Sequence, residues 1–212
     1  MSVQADTSKV RRLYDRMAPR YDRVIGVWER MLFSGGRQWV CDRADGQVLE
    51  IALGTGRNLP CYREDVRLTA IELSPGMLAV ARDRARSLGL EVDLRVGDAQ
   101  ALPFDDARFD TVVCTLALCT IPDDRQAVRE AWRVLRPGGR LLLLEHVRSP
   151  IRVVRIGQEL VEPLFLCLQR DHLLREPADA VERAGLAIEE LERSKLGIVE
   201  RLSARKPDPT AA

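Results

Sequence analysis

"VLEIALGTGRNLP", residues 48–60, decides the fold. An apolar run closes on Glu50, and small residues then crowd together: Ala52, Gly54, Thr55 and Gly56. Such a strand followed by a glycine turn is where a ligand meets the edge of a doubly wound sheet. The spelling is E-x-A-x-G-x-G, whereas a dinucleotide-binding turn spells G-x-G-x-x-G. Glu50 stands where a pyrophosphate would be repelled, which disfavours a nicotinamide oxidoreductase.

Working outward, apolar extended runs alternate with helical patterns, the signature of a parallel sheet covered by helices. Strands are predicted over 47–53, 68–73, 91–97, 109–117 and 138–147, the last with continuous leucines that mark burial on both faces. Between them, "SPGMLAVARDRARSLG" offers Ser74 as N-cap, Pro75 at the first helical position and Gly89 as a stop. "DDRQAVREAWRVLRPGG" places Ala127, Val128, Ala131, Val134 and Leu135 at helical spacing before a glycine break. Residues 6–43 read as helices split near "APRYD", and 148–175 as an apolar, partly helical insertion. A helix at 176–184 and an antiparallel pair of strands close the chain before a frayed tail, "KPDPTAA". The expectation is a single α/β domain: a helical cap (1–43), a ligand-binding core (44–147), an acceptor lid (148–175) and a C-terminal helix and strand pair (176–206).

Composition narrows the classes of function. The 212 residues are 46% hydrophobic and 31% charged, as in a globular protein. Thirty-three basic and 32 acidic residues leave a net charge of +1, which argues against a nucleic-acid partner. Five cysteines without a C-x-x-C pair, and only two histidines, argue against a zinc site; no metal is expected. The polar N-terminus lacks a signal-peptide core, and no window of about 18 apolar residues exists, so a cytoplasmic chain without a membrane span is expected.

Acids end three successive strands: Glu50, Glu72 and, just past the third, Asp98. An acid about 20 residues beyond the turn is placed to bind ribose hydroxyls. Asp98 is placed to accept from an exocyclic adenine amine. Any one of these acids could be a solvated charge; three in register suit a ligand with a cationic amino-acid end, a ribose and an adenine. S-adenosylmethionine is that molecule.

With these motifs in place, the chain resembles the class I S-adenosylmethionine-dependent methyltransferases. "VLEIALGTG", "AIELSPGML", "GDAQALPF", "FDTVVCTLAL" and "LRPGGRLLLLEH" match their motifs in order and spacing, over roughly residues 10–147. The resemblance implies a seven-stranded Rossmann-like sheet, mostly parallel, in the order 3-2-1-4-5-7-6. It implies that Glu50 and the backbone of Ala52 and Gly54 face the methionine portion of S-adenosyl-L-methionine, with Gly56 a further cofactor-binding residue of the same turn. Glu72 would hold the ribose, Leu73 and Met77 flank the adenine, and Asp98 and Ala99 meet its edge. Thr115 would offer a backbone contact near the amino-acid end. Ala52 departs from the family's glycine, and binding should survive if its backbone is not left-handed.

"LYDRMAPRYDRVIG" resembles the cap of ubiquinone and menaquinone C-methyltransferases and, still more, of bacterial phosphatidylethanolamine N-methyltransferases, with Tyr14 and Tyr21 closing over the cofactor. The alternative is an amphipathic helix that buries both tyrosines. A more distant resemblance, through "EHV…Q…P…HLLRE", is to thiol S-methyltransferases. Methyl transfer needs alignment above all, and a base only where the acceptor loses a proton. His146 is the candidate base, with Arg148 and His172 as candidate acceptor-binding residues. His146 could equally cap its strand, and Cys119 reads as core. The apolar residues of 148–175, from Val153 to Leu168, could line an acceptor pocket, form core or touch a membrane, with Arg152 and Arg155 favouring anionic head groups. The acceptor is expected to be a small or lipid-like molecule, with peripheral membrane contact open, oligomeric state open, and a non-catalytic S-adenosylmethionine-binding module as the rival of another class.

Overall fold

The computed structural model describes residues 3–209. Three helices lead: α1 (Val3–Met17), α2 (Tyr21–Leu32) and α3 (Gly36–Arg43). The turn between α1 and α2 is a short 3-10 segment, Ala18–Arg20, whose Pro19 lies at the "APRYD" break. The core then runs β1 (Gln47–Ile51), β2 (Arg67–Glu72), α4 (Pro75–Ser87), β3 (Asp93–Val96), β4 (Phe109–Thr115), α5 (Asp124–Val134) and β5 (Leu135–His146). It ends with α6 (Arg152–Gln169), α7 (Pro177–Arg183), β6 (Ala187–Ser194) and β7 (Val199–Arg205).

The strands form one seven-stranded sheet in the order β3-β2-β1-β4-β5-β7-β6, as expected. β1 to β5 pair in parallel, and β7 runs antiparallel to both β5 and β6. The ends of β1, β2 and β4 therefore share one edge with that of β5, which is where such sheets bind ligands.

Local chemistry sets the boundaries. Ser74 Oγ accepts from Met77 N at 3.0 Å and caps α4, and Asp123 Oδ1 accepts from Gln126 N at 2.9 Å and caps α5. β5 begins at Leu135, three residues before the predicted start. Leu135 pairs with Phe109, and Arg140 resumes pairing at Thr111, so the glycines of "RPGG" lie inside the strand as an irregularity rather than before it. The leucine run is buried on both faces: Leu141 and Leu143 pack with α5 and α7, and Leu142 and Leu144 with Phe33 and Val40.

Two expectations are corrected. The insertion is one long helix, α6, but its apolar residues do not roof a pocket. Only Gln158 on α6 is buried, while Val153 is 80% and Leu160 77% exposed. The tail is not frayed at its start: Lys206 Nζ donates to the carbonyls of Trp132 (2.8 Å) and Leu135 (2.7 Å). Residues 210–212 of that tail lie outside the described residues. Among the described residues, no helix is long and apolar enough to cross a membrane.

Candidate cofactor site

One cavity opens at the shared sheet edge, and it gathers most of the residues singled out above. Tyr14, Tyr21, Ala52, Gly54, Glu72, Leu73, Met77, Asp98, Ala99 and Thr115 all line it. Glu50, Gly56, His146, Arg148 and His172 are not among its lining residues.

Glu72 is the centre of the site. It ends β2, and its carboxylate accepts from Gly54 N and Ser74 N, both at 2.8 Å. Burial raises its pKa, and the backbone N–H donors oppose that rise. Both donors belong to the chain's own turns, so Glu72 ties the glycine turn to the start of α4 while lining the cavity. Gly54 has φ +62°, and a side chain there would meet nothing within 4 Å; the turn leaves an open cradle on that side. Asp98 Oδ1 accepts from the backbone and side-chain nitrogens of Gln100, each at 2.9 Å.

Ala52 occupies the left-handed region, with φ +54°. The condition for a harmless glycine-to-alanine change is therefore not met: the turn takes the glycine conformation and carries the strain of a Cβ there. Leu116, also on the cavity wall, is left-handed as well, with φ +53°. Strained backbone on both β1 and β4 tips borders the same space.

The cap supplies the outer wall. Tyr14 and Tyr21 meet edge to face, with ring centroids 6.1 Å apart. Burial pushes both phenols upward, so both stay protonated donors at neutral pH. The cap is fastened by carboxylates. Asp15 Oδ1 accepts from Ser74 Oγ (2.6 Å) and Gly76 N (2.9 Å), and Asp22 accepts from Thr55 Oγ1 (2.6 Å) and pairs with Arg84. Gly76 keeps this contact close: a Cβ there would stand 3.2 Å from the Asp15 backbone, tighter than an ordinary contact.

Glu50 is 2% exposed and does not line the cavity. Its carboxylate accepts from Asn58 Nδ2 and the Tyr62 hydroxyl, each at 2.9 Å. Burial pushes its pKa up to about 7 against those bonds and the charge of Arg37. Asn58 also donates to Thr115 Oγ1 (3.0 Å) and accepts from Arg37 Nη1 (2.8 Å). Arg37, on α3, lines the cavity and also pairs with Glu29. It is a cationic wall residue that no spacing pattern announced. Gly56 is a packing position as well: a Cβ there would stand 2.7 Å from Leu59.

At the end of β5 the arrangement differs from the expectation. Arg148 Nε donates to Glu176 Oε1 at 3.0 Å and lies in a separate surface depression. His172 anchors its loop through a backbone bond to Cys119 O at 3.0 Å; burial, then Arg175, lowers its pKa. His146 is partly buried, its side chain 13% exposed, with Nε2 2.9 Å from Asp171 Oδ1, and its buried Nδ1 has no partner among the described residues. Burial works to lower its pKa, but the bond and charge of Asp171 prevail and raise it. Cys119 completes a cluster with them, the three ligand-type atoms lying within 4.8 Å of one another. Tyr14 lines the cavity together with Thr120, and the negative charge of Asp171, a member of this cluster, adds to the burial that raises its phenol pKa. The neighbouring Glu145 accepts from Ala117 N (2.9 Å) and Leu118 N (3.0 Å), which fixes the loop after β4 that lines the cavity. Burial pushes its pKa up to about 7.

The donor set fits S-adenosylmethionine: a buried acid at the tip of β2, a second acid just past β3, a glycine cradle, an arginine and two phenols around one space. Comparison with known proteins agrees. A methyltransferase domain model matches residues 49–143. The chain is 32% identical over 167 residues to a demethylmenaquinone methyltransferase of Clavibacter sepedonicus, covering 74% of this chain and 68% of that one. It is 42% identical over 103 residues to a phosphatidylethanolamine N-methyltransferase of Cereibacter sphaeroides, covering 48% of this chain and 51% of that one. The chain thus spans about half to two thirds of the length of these curated relatives. Among solved structures, the cyclase SpnF superposes with TM-score 0.76 at 22% identity, over 94% of this chain and 95% of that one, a likeness of fold alone. The chain belongs to the S-adenosylmethionine-dependent methyltransferases.

Two outcomes follow. Ala52→Gly removes the strained Cβ and should stabilise the protein by about 1 kcal/mol, roughly 2–4 °C in Tm, measured by thermal unfolding. A fall in Tm would show that the strain is absent. Glu145 has a carboxyl pKa raised from 4.5 to about 7. The folded chain therefore holds that proton more tightly, and the stability it contributes is lost as pH rises through this window. Glu50 and His146, both raised, act in the same direction. Tm should fall between about pH 5 and about pH 8, and Glu145→Gln, which keeps the acceptor oxygen but cannot ionise, should flatten that slope. An identical slope in the variant refutes the assignment.

Proposed function

We propose that the chain transfers a methyl group from S-adenosylmethionine to a lipophilic acceptor, a quinone-like ring or a lipid amine. The observation that carries this reading is the cavity lining, where Leu116, Ala117, Ile121 and Pro122 add apolar surface to that of the tyrosine pair. The relatives named for demethylmenaquinone and phosphatidylethanolamine favour these acceptors over a thiol. An acceptor of this kind resides in a bilayer, so the reading carries peripheral membrane contact with it.

When bound, S-adenosylmethionine supplies an electrophilic methyl on a leaving group that already bears charge. The chain therefore has to bind, align and exclude water. In this reading Glu72 holds the ribose hydroxyls, Leu73 and Met77 flank the adenine, and Asp98 and Ala99 meet its edge. Arg37 faces the methionine carboxylate, the backbone of Gly54 and Thr115 borders the amino-acid end, and Tyr14 and Tyr21 close the outer side. His146, oriented by Asp171, takes the proton from acceptors that must lose one, along a path past Tyr14 and Thr120.

The test is transfer of labelled methyl from S-adenosylmethionine to a demethylnaphthoquinone, to phosphatidylethanolamine and to a small thiol. Label should enter one of the two lipophilic acceptors. Label in the thiol alone, or cofactor binding without transfer to any of the three, would overturn the reading. His146→Ala should lower kcat on a proton-losing acceptor by about 10²-fold with little change in cofactor affinity. An unchanged kcat removes His146 from the proton path.

A further inference from the structure

Two of the five cysteines meet at the seam between α3 and the segment after the glycine turn. Cys41, near the end of α3, is buried, and Cys61, which ends a 3-10 turn over Leu59–Cys61, is partly exposed. Both converge on one backbone carbonyl: Asn58 O accepts from Cys41 Sγ at 3.8 Å and from Cys61 N at 2.8 Å. Two more bonds join the same elements. Arg37 Nη1 donates to Asn58 Oδ1 at 2.8 Å, and Arg63 Nη1 donates to the Asp42 carbonyl at 3.2 Å. Held this way, the two thiols are hydrogen-bonded to one another. Thiols that share such a bond face each other, which is where a disulfide starts.

The pair is chemically unequal. The bond from Cys41 favours the Cys61 thiolate against the cost of its burial, and Arg37 adds to it while Glu29 and Asp42 oppose it. The Cys61 pKa comes down to about 7. The same bond, then burial and the charge of Glu50, push Cys41 up. An accessible cysteine that ionises near neutral pH, beside a buried protonated one, has the makings of a redox site: the first attacks an oxidant and the second resolves the product. Cys114 and Cys119 are unsuited to the attack, since both are buried and burial pushes their thiols up. Cys167, exposed on α6, is the competing target.

We propose that Cys61 and Cys41 are a reversible oxidation site, at which a hydroperoxide oxidises Cys61 and Cys41 then closes a disulfide between α3 and the 3-10 turn. The Cys61 thiolate attacks one peroxide oxygen and the O–O bond breaks. The leaving oxyanion takes up a proton and departs as an alcohol or water, and Cys61 is left as a sulfenic acid. The Cys41 sulfur, giving up its proton, displaces that hydroxyl, which leaves as water as the S–S bond forms. Two electrons pass from the thiol pair to the peroxide, and an added dithiol returns them.

The bond would enclose residues 42–60, which carry β1 and the glycine turn. Arg37 and Asn58 already tie these elements, so the cross-link fixes an existing arrangement and stabilises it chiefly by restricting the unfolded chain. It holds whichever acceptor is methylated.

The test is treatment of the full chain with hydrogen peroxide, followed by peptide mapping in a mass spectrometer and thermal unfolding. The wild type should lose two hydrogens from its mass and yield the Cys41–Cys61 peptide pair. Its Tm should rise by about 5 °C or more, and dithiothreitol should reverse both changes. Cys61→Ser should lose both responses, and Cys167→Ser should keep both, in material whose circular dichroism matches the wild type. Cys41→Ala should stop at a sulfenic acid on Cys61, trapped by dimedone. Three results in the wild type itself overturn the proposal: Cys61 running on to a sulfinic acid or staying unoxidised, dimers linked through Cys167 in place of the internal bond, or an oxidised chain with the Tm of the reduced one.

Discussion

The carboxylate of Glu72 is the constraint on which the rest of the site depends. It is buried at the tip of β2 and is held by two backbone donors, Gly54 N from the glycine turn and Ser74 N from the start of α4. A buried carboxylate needs such donors, since leaving one unmet costs more than the bond gains. The same Ser74 hydroxyl donates to Asp15, so the cap is anchored to the residue next in line after the turn. One acid thus sets the turn, the helix start and, through Ser74, the position of Tyr14 over the cavity.

Behind this front layer lies a second one, built on Asn58. It bonds Glu50, Thr115 and Arg37, and so links β1, β4 and α3 beneath the cavity. Glu145 does similar work at β5, holding the loop after β4 through two backbone N–H groups. These acids are costly to bury, and each is placed where a loop must be held in a fixed shape. The left-handed Ala52 and Leu116 show the same economy, with conformational strain kept at the strand tips that border the ligand space.

The sheet was legible because apolar runs alternating with helical periods have few other solutions, and the order of seven strands followed from the motifs. Glu72 and Asp98 could be brought to the cavity because strand tips of one sheet share an edge, whereas the tyrosines and Met77, which sit on helices, came from the resemblance of their motifs. Glu50 also stands at a strand tip, but its carboxylate is taken up by Asn58 and Tyr62 and does not line the cavity, and that pairing is tertiary. Arg37 could not be found from spacing, because it reaches the cavity from a helix that precedes the sheet. Arg148 looked available until Glu176, 28 residues on, claimed it. The periodicity of α6 told that one face is apolar, but not that this face would be left uncovered. Glu145 carried a usable signal, an acid ending a run of leucines in the manner of Glu50 and Glu72.

The account is tested most directly by titrating S-adenosylhomocysteine into wild type and Glu72→Ala in a calorimeter, on material whose circular dichroism shows both folded. Saturable binding by the wild type, weakened about tenfold or more in the variant, is the predicted result. Equal affinities, or no heat from the folded wild type, would contradict the role given to that carboxylate.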